Sequence, residues 1–386
     1  MTVVVVKVGS SSLSNPNGGL DRDKLQHIVD ELADLHKDGV SVLLVSSGAV
    51  AAGFTKLGFR RRPCSMAARQ AAAAVGQGIL IEEYAQRLEA YGITAAQILL
   101  TRSDFSDRVR YVNAYNTLTL LLRKRVIPII NENDTVSVDE LTFGDNDRLS
   151  ALVAGMVKAD LLILLSDVDG LYTANPQEVP DARLVHDVPH ITPEIERMAG
   201  GAGSAVGTGG MRTKVEAAKI ATAAGVPVFL GRADRRGILR EALSGRARGT
   251  YFHAAGKPLP NRKQWLRFLT QESGRLEVDQ GAADALITHG SSLLASGVRA
   301  VEGQFAAGDV VLITHRGEPI GKGIARYSSE QLDEMKGLRS EEIESRFHMP
   351  AEPVVHRDEL VLLAEREEVS VAKTVQVQEG DRCGTN

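Results

Sequence analysis

Cysteine is nearly absent from this chain. Cys64 and Cys383 are the only two in 386 residues. They stand far apart outside any CxxC pair, so the sequence offers neither a disulfide framework nor a zinc site. Long hydrophobic runs are missing as well. The longest, such as LLILL at Leu161 to Leu165, fall far short of the ~20 residues that cross a bilayer. The apolar run in the opening MTVVVVKVG is too short for the core of a signal peptide and follows no basic segment; a cytoplasmic protein without membrane contact is therefore the simplest expectation. Nor does one sign of charge dominate. Lys and Arg number 45 against 49 Asp and Glu, a formal net charge of -4, which withholds the basic excess on which general nucleic-acid affinity rests.

What is present is an ordinary globular composition, 43% hydrophobic and 24% charged, in a chain long enough for two domains. Glycine is the exception, at 37 residues, above the roughly 7% norm. The excess sits where strands are expected to end. Short aliphatic runs at Val3 to Val8, Val40 to Val45, Ile93 to Leu99, Val126 to Ile130, Leu161 to Leu165 and Val226 to Leu230 alternate with helical stretches. In one of these, Leu25, Ile28, Val29, Leu32 and Leu35 mark a single apolar face. Continuous apolar strands separated by helices predict an α/β fold, a three-layer αβα sandwich around a mainly parallel sheet. From Gly274 the texture changes to short strand-like runs with frequent turns and little helix, which predicts a small β barrel. The basic, proline-bearing HAAGKPLPNRKQW before it reads as a linker. The expected division is 1–255, a linker at 256–273, the barrel at 274–367 and a polar tail at 368–386.

In parallel sheets ligands sit beyond the carboxyl ends of the strands. Lys7 ends a strand too apolar to be an edge, and a buried-end lysine needs an anionic partner. GTGGMRTKVEAAKIA places glycines ahead of a helix with Lys214 in its first turns. That arrangement suits either an anion at a helix start or a plain connecting loop. Asp145, Asn146 and Asp147 precede another helix, where one of them could simply cap it. Asp134 follows the fourth strand in NENDTVS. Such acidic groups could orient lysines, hold a substrate ammonium or bind magnesium. Ser46, Ser47 and Gly48 offer a hydroxyl and backbone N–H groups, again either as a helix cap or as a carboxylate site. SDVDGLYTANP suits a nucleotide loop, although turn chemistry alone explains its residues.

Taken in order, KVGSSSL, VSSGAVAAG, INENDTVS, FGDNDRLSALVA, LLSDVDGLYTANP and GTGGMRTKVEAAKIA resemble the amino acid kinase family, specifically its glutamate-phosphorylating members. The segment from Gly274 is similar to a PUA domain, a small RNA-associated barrel. The resemblance implies ATP-dependent phosphorylation of the side-chain carboxylate of L-glutamate, the first step of proline synthesis. Lys7 and Lys214 would stabilise the transferring phosphoryl group, with Asp147 holding both. Ser47, Asp134 and Asn146 would bind glutamate, with Asp145 nearby. Lys7, Ser166, Asp167 and Thr208, Gly209, Gly210, Met211, Arg212, Thr213 and Lys214 would line the ATP site. Ser166 stands where the family has threonine, which keeps the hydroxyl. The resemblance also implies Mg2+ carried by the ATP phosphates with no protein ligand assigned, proline as feedback inhibitor, and a homo-oligomer. Relatives acting on aspartate, acetylglutamate, carbamate or a nucleoside monophosphate are the nearest alternatives. A different class, an RNA-binding regulator on a kinase-like scaffold, is disfavoured by the retained lysines. The charge of residues 274–350 also opposes it, with eight Lys or Arg against twelve Asp or Glu, because nucleic-acid modules are usually basic.

Overall fold

The computed structural model describes residues 1–363 except 16–18, 137–145, 177, 201–209, 255–262, 264–265, 268–269 and 271. Asp145, Thr208, Gly209, most of the expected linker and the tail at 368–386 lie outside the described residues. The chain divides into two compact units, Met1–Thr270 and Gln271–Asn386. No helix among the described residues is long and apolar enough to cross a membrane.

In the first unit the strands are β1 (Val3–Val8), β2 (Ser41–Ser46), β3 (Ala95–Leu100), β4 (Ile127–Glu132), β5 (Leu161–Ser166), β6 (Asp187–Val188), β7 (Val228–Arg232) and β8 (Thr250–Phe252). They form one sheet in the order β3-β4-β2-β1-β5-β7-β8-β6. All neighbours run parallel except β7 and β8. The helices are α1 (Arg22–Lys37), α2 (Ala49–Gly53), α3 (Met66–Glu89), α4 (Arg102–Ser106), α5 (Arg108–Arg123), α6 (Asn146–Val157), α7 (Pro193–Ala199), α8 (Met211–Ala223) and α9 (Ile238–Leu243). Six of the strands fall on the aliphatic runs, displaced by at most two residues. The short β6 and β8 carry no pattern long enough to read.

Period-two alternation along β1 decides the placement of Lys7. Val4, Val6 and Val8 face a core built with α1, α3 and α9. Val5 faces the opposite core, built with α5, α6 and α8. Lys7, in step with Val5, therefore points into the α6 and α8 layer. Its backbone lies between Val45 of β2 and Leu164 of β5, at the centre of the sheet. Each fully buried aliphatic side chain of these two cores contributes roughly 1.5–3 kcal/mol, and that layering holds a charged group where isolated propensity would not.

Two glycines set the distance between α2 and α3. A Cβ on Gly53 would stand 2.0 Å from the carbonyl oxygen of Ala72, and one on Gly76 would stand 1.8 Å from that of Ala49. Only bare backbone fits there. The contact fixes the helix that immediately follows Ser47 and Gly48.

In the second unit, β9 (Gly274–Val278), β10 (Val298–Gly303), β11 (Val310–His315), β12 (Glu318–Ile324) and β13 (Leu360–Leu362) form one mixed sheet in the order β10-β9-β11-β12-β13. The expectation of little helix is corrected. Helices Gln280–His289, Ser329–Met335 and Ser340–Phe347 pack Leu286, Leu332 and Ile343 against Leu276 and Val311. They are short, so each shows few periodic positions, and their clearest signals are the N-caps Asp279 and Ser328, residues that equally suit turns.

Candidate active site

The site forms at the carboxyl ends of β1, β2, β4 and β5, where the strand order reverses around β1. Lys7 Nζ lies 2.5 Å from Asp147 Oδ1, and Lys214 Nζ lies 3.2 Å from Asp147 Oδ2. All three side chains are buried. The Thr213 hydroxyl lies 2.9 Å from Asp147 Oδ2 and 2.8 Å from the Gly210 carbonyl. Burial alone would raise the Asp147 carboxyl, but the charges of Lys7 and Lys214 prevail and hold it below the ordinary carboxylate range. The trio therefore carries two positive charges against one negative, a net positive centre away from bulk water. The side chain of Asp147 serves the lysines and Thr213.

Asn146, one residue earlier on α6, turns the other way. Its Nδ2 lies 3.1 Å from the Ser46 carbonyl, 2.9 Å from Ser47 Oγ and 2.8 Å from Asn131 Oδ1. One dipeptide thus joins the lysine centre to the ends of β2 and β4. Gly48 has φ 111° and begins α2 without a side-chain cap. The Ser47 hydroxyl receives Asn146 instead of capping that helix, and Ser46 Oγ lies 3.0 Å from the buried Tyr84 hydroxyl. Burial pushes the Tyr84 phenol up, with the Ser46 hydrogen bond opposing. Asp134 is half-buried just beyond β4. Burial raises its carboxyl, and Arg69 and Arg62 pull it back.

Ser166 closes β5, and its hydroxyl donates to Asp167 Oδ1 at 3.0 Å. Gly210 precedes α8, whose first turn holds Met211, Arg212 and Thr213. Met211 packs on the core, while Arg212 pairs with Glu216 at the surface. Of the expected residues, Lys7, Lys214, Thr213 and Asp147 meet in one cluster, and Ser47 and Asn146 in its neighbour. Sequence reasoning passed over Asn131, Gln77 and Tyr84. Asn131 opens NENDTVS and was within reach; Gln77 and Tyr84 sit mid-helix on α3 with nothing local to mark them.

A profile of the amino acid kinase family matches residues 2–232, and one of the PUA domain matches residues 274–347. A glutamate 5-kinase of Bacillus cereus is 49% identical over 362 residues, 93% of this chain and 99% of its own. Glutamate 5-kinase 2 of Bacillus licheniformis is 52% identical over 336 residues, 86% of this chain and 90% of its own. Among solved structures, carbamate kinase from Giardia lamblia bound to AMP-PNP is 18% identical, with a TM-score of 0.48 over 66% of this chain and 98% of its own. Matched over more than half its length by the family profile, and by near-full-length relatives about half identical to it, this chain belongs to the amino acid kinase family, among its glutamate 5-kinases.

Proposed function

We propose that this protein transfers the γ-phosphoryl group of ATP to the side-chain carboxylate of L-glutamate, giving glutamyl 5-phosphate and ADP. The observation that carries the chemistry is the Lys7–Asp147–Lys214 cluster. Phosphoryl transfer spreads negative charge over the attacking, equatorial and leaving oxygens. Two ammonium groups fixed by one buried carboxylate meet that charge without reorganising. No general base is required, because a glutamate side chain with a reference pKa of about 4.3 is already ionised at neutral pH. Lys7, at the end of β1, and Lys214, in α8, approach the reacting group from different elements. Thr213 and Asp147 hold them in place.

Ser47, Asn146 and Asp134 bind the acceptor; Asp145, assigned with them from the sequence, lies outside the described residues. Ser166, Asp167, Gly210 and the start of α8, including Met211 and Arg212, cradle ATP together with Thr208 and Gly209, which lie outside the described residues; its phosphates meet the backbone N–H groups at the start of that helix. ATP would bring magnesium on its own phosphates, where the ion would neutralise part of their charge, with no residue of this chain assigned to hold it. Proline shares the α-carboxylate and the amine-bearing carbon of glutamate. It therefore competes at the Ser47, Asn146 and Asp134 side as a feedback inhibitor of proline synthesis in the cytoplasm. The enzyme works as a homo-oligomer, and the PUA domain modulates it without contributing to the site. The deciding assay is ATP-dependent hydroxamate formation with hydroxylamine, compared across glutamate, aspartate and N-acetylglutamate. Glutamate is expected to exceed the others, and preference for either of them would replace the substrate assigned here.

A further inference from the structure

Three buried side chains, Gln77, Asn131 and Asn146, form a directed chain from α3 to the half-buried Ser47 on the acceptor side of the site. Gln77 on α3 accepts from Asn131 Nδ2 through its Oε1 at 2.8 Å. Asn131 Oδ1 accepts from the Glu132 backbone N–H at 2.9 Å and from Asn146 Nδ2 at 2.8 Å. Asn146 Nδ2 also serves the Ser46 carbonyl and Ser47 Oγ. A carboxamide can present either end, and its orientation follows from the network around it. Here two backbone groups that cannot exchange roles anchor both amides. The Glu132 N–H demands an oxygen from Asn131, and the Ser46 carbonyl demands a nitrogen from Asn146. Turning Asn131 over would set its NH2 against two donors at once.

The two N–H groups of Asn146 Nδ2 are shared among three acceptors, which leaves its oxygen as the end available to a substrate. An oxygen there accepts and cannot donate, so it suits an ammonium and not a carboxylate. Gln77 keeps this arrangement from below. Its acceptor oxygen engages the end of Asn131 that no other described residue holds. Its Nε2 is buried with no partner among the described residues, so turning the Gln77 amide over would gain that nitrogen a place only at the cost of facing Asn131 Nδ2 with another donor.

Resting on the amino-acid acceptor assigned above, we infer that Gln77 is a positioning residue for that acceptor. Acting through Asn131, it locks the Asn146 carboxamide with its oxygen toward the substrate ammonium. Nothing in its own sequence surroundings marks it for this role. The relay explains why a glutamine, polar and nearly inaccessible, stands on the inner side of α3 among alanines and leucines.

The test measures glutamate and ATP KM values and kcat for the full-length enzyme and four variants: Gln77→Leu, Gln77→Glu, Asn131→Asp and the double variant Gln77→Leu with Asn131→Asp. Gln77→Leu is expected to raise the glutamate KM at least about tenfold, the scale of one hydrogen bond, with the ATP KM and saturated kcat within about twofold of the parent. Gln77→Glu retains an acceptor oxygen at the same reach and should keep the parent KM within about threefold, an arm that stands even if the leucine variant does not fold. In the Asn131→Asp background the effect of Gln77→Leu should nearly vanish, because a carboxylate has no amide end to misplace; residues acting through one chain are non-additive. Equal losses for ATP and glutamate, additive effects, or a tenfold KM rise in Gln77→Glu would each overturn the relay. A parent enzyme inactive toward glutamate would instead overturn the substrate assignment.

Discussion

The ammonium of Lys7 lies 2.5 Å from Asp147 Oδ1, with 4% of one side chain and none of the other exposed. A lysine this buried persists because its counterion is equally buried. Lys214 completes the group from a separate helix. The cluster therefore belongs to the core, and in the proposed reaction the same two ammonium groups would meet the phosphoryl charge.

Replacing Lys7 or Lys214 by alanine should lower kcat at least about 100-fold, the scale for losing one preorganised charge-stabilising group. Each variant leaves Asp147 paired with the other lysine, so folding should survive. Steady-state kinetics alongside circular dichroism check both parts. A folded variant with near-parental kcat would remove that lysine from the mechanism.

Asp147→Asn should be harsher on stability than either lysine variant. It leaves two buried ammonium groups without their carboxylate, a loss of about 3–5 kcal/mol. The parent protein has a pH signature as well. Asp147 is held below its ordinary value of 3.8, so its stabilisation is present above that value and is lost as pH falls through the lowered folded value. Urea unfolding followed from pH 7 into the acid range should show this acid-limb loss in the parent and its absence in Asp147→Asn.

Asp134 works in the opposite sense. Burial raises its carboxyl, so its contribution to stability is present below the ordinary value and is lost as pH rises through the raised folded value. Asp134→Asn is then expected to unfold at a slightly higher temperature at neutral pH while its glutamate KM rises about tenfold or more. Calorimetry and kinetics on one preparation decide it. A variant less stable at neutral pH, or one whose ATP KM shifts instead, would contradict the assignment.

Gly76→Ala tests the packing beneath the site. Its new Cβ would meet the Ala49 carbonyl at 1.8 Å, so α2 must move away from α3. Overpacking of this kind costs about 1–3 kcal/mol. Because α2 continues directly from Ser47 and Gly48, the glutamate KM should rise with it. Gly78→Ala, where a Cβ has nothing within 4 Å, is the matched control; it should leave the glutamate KM unchanged and raise stability by about 0.5–1 kcal/mol, the helix-propensity difference between glycine and alanine.

A protein ending at Thr270, the boundary of the first unit, should retain kinase turnover, since every residue assigned to the chemistry precedes Ala221. Its response to proline or its oligomeric state is expected to change, because a domain without catalytic groups acts only through contacts or populations. Loss of turnover in a folded truncation would place part of the site in the second unit.

Much of this was legible in the primary structure. The β-branched and aliphatic runs determined which segments became strands, because a strand covered on both faces must be apolar at nearly every position. The lone charge of Lys7 at the end of such a strand called for an anionic partner, whereas Lys214 near the start of a glycine-preceded helix left an anion site and a plain connecting loop both open. The motifs around Ser47, Asp134 and Asp147 lie in loops and helix starts, where local chemistry is visible in order along the chain. What the linear order could not settle was allegiance. Asp147 reads equally as a helix cap or a counterion, and only the approach of β1 and α8 from distant positions decides between them. Asn146 could present either end of its amide, and the Ser46 carbonyl, 100 residues away, chooses. Gln77 and Tyr84 were invisible because a helix interior gives polar residues no local signature. The three helices of the second unit were missed for the same reason that short segments always mislead, too few turns to show a period. Tertiary structure decided these points because hydrogen bonds and ion pairs form between neighbours in space, and burial makes leaving them unformed costly.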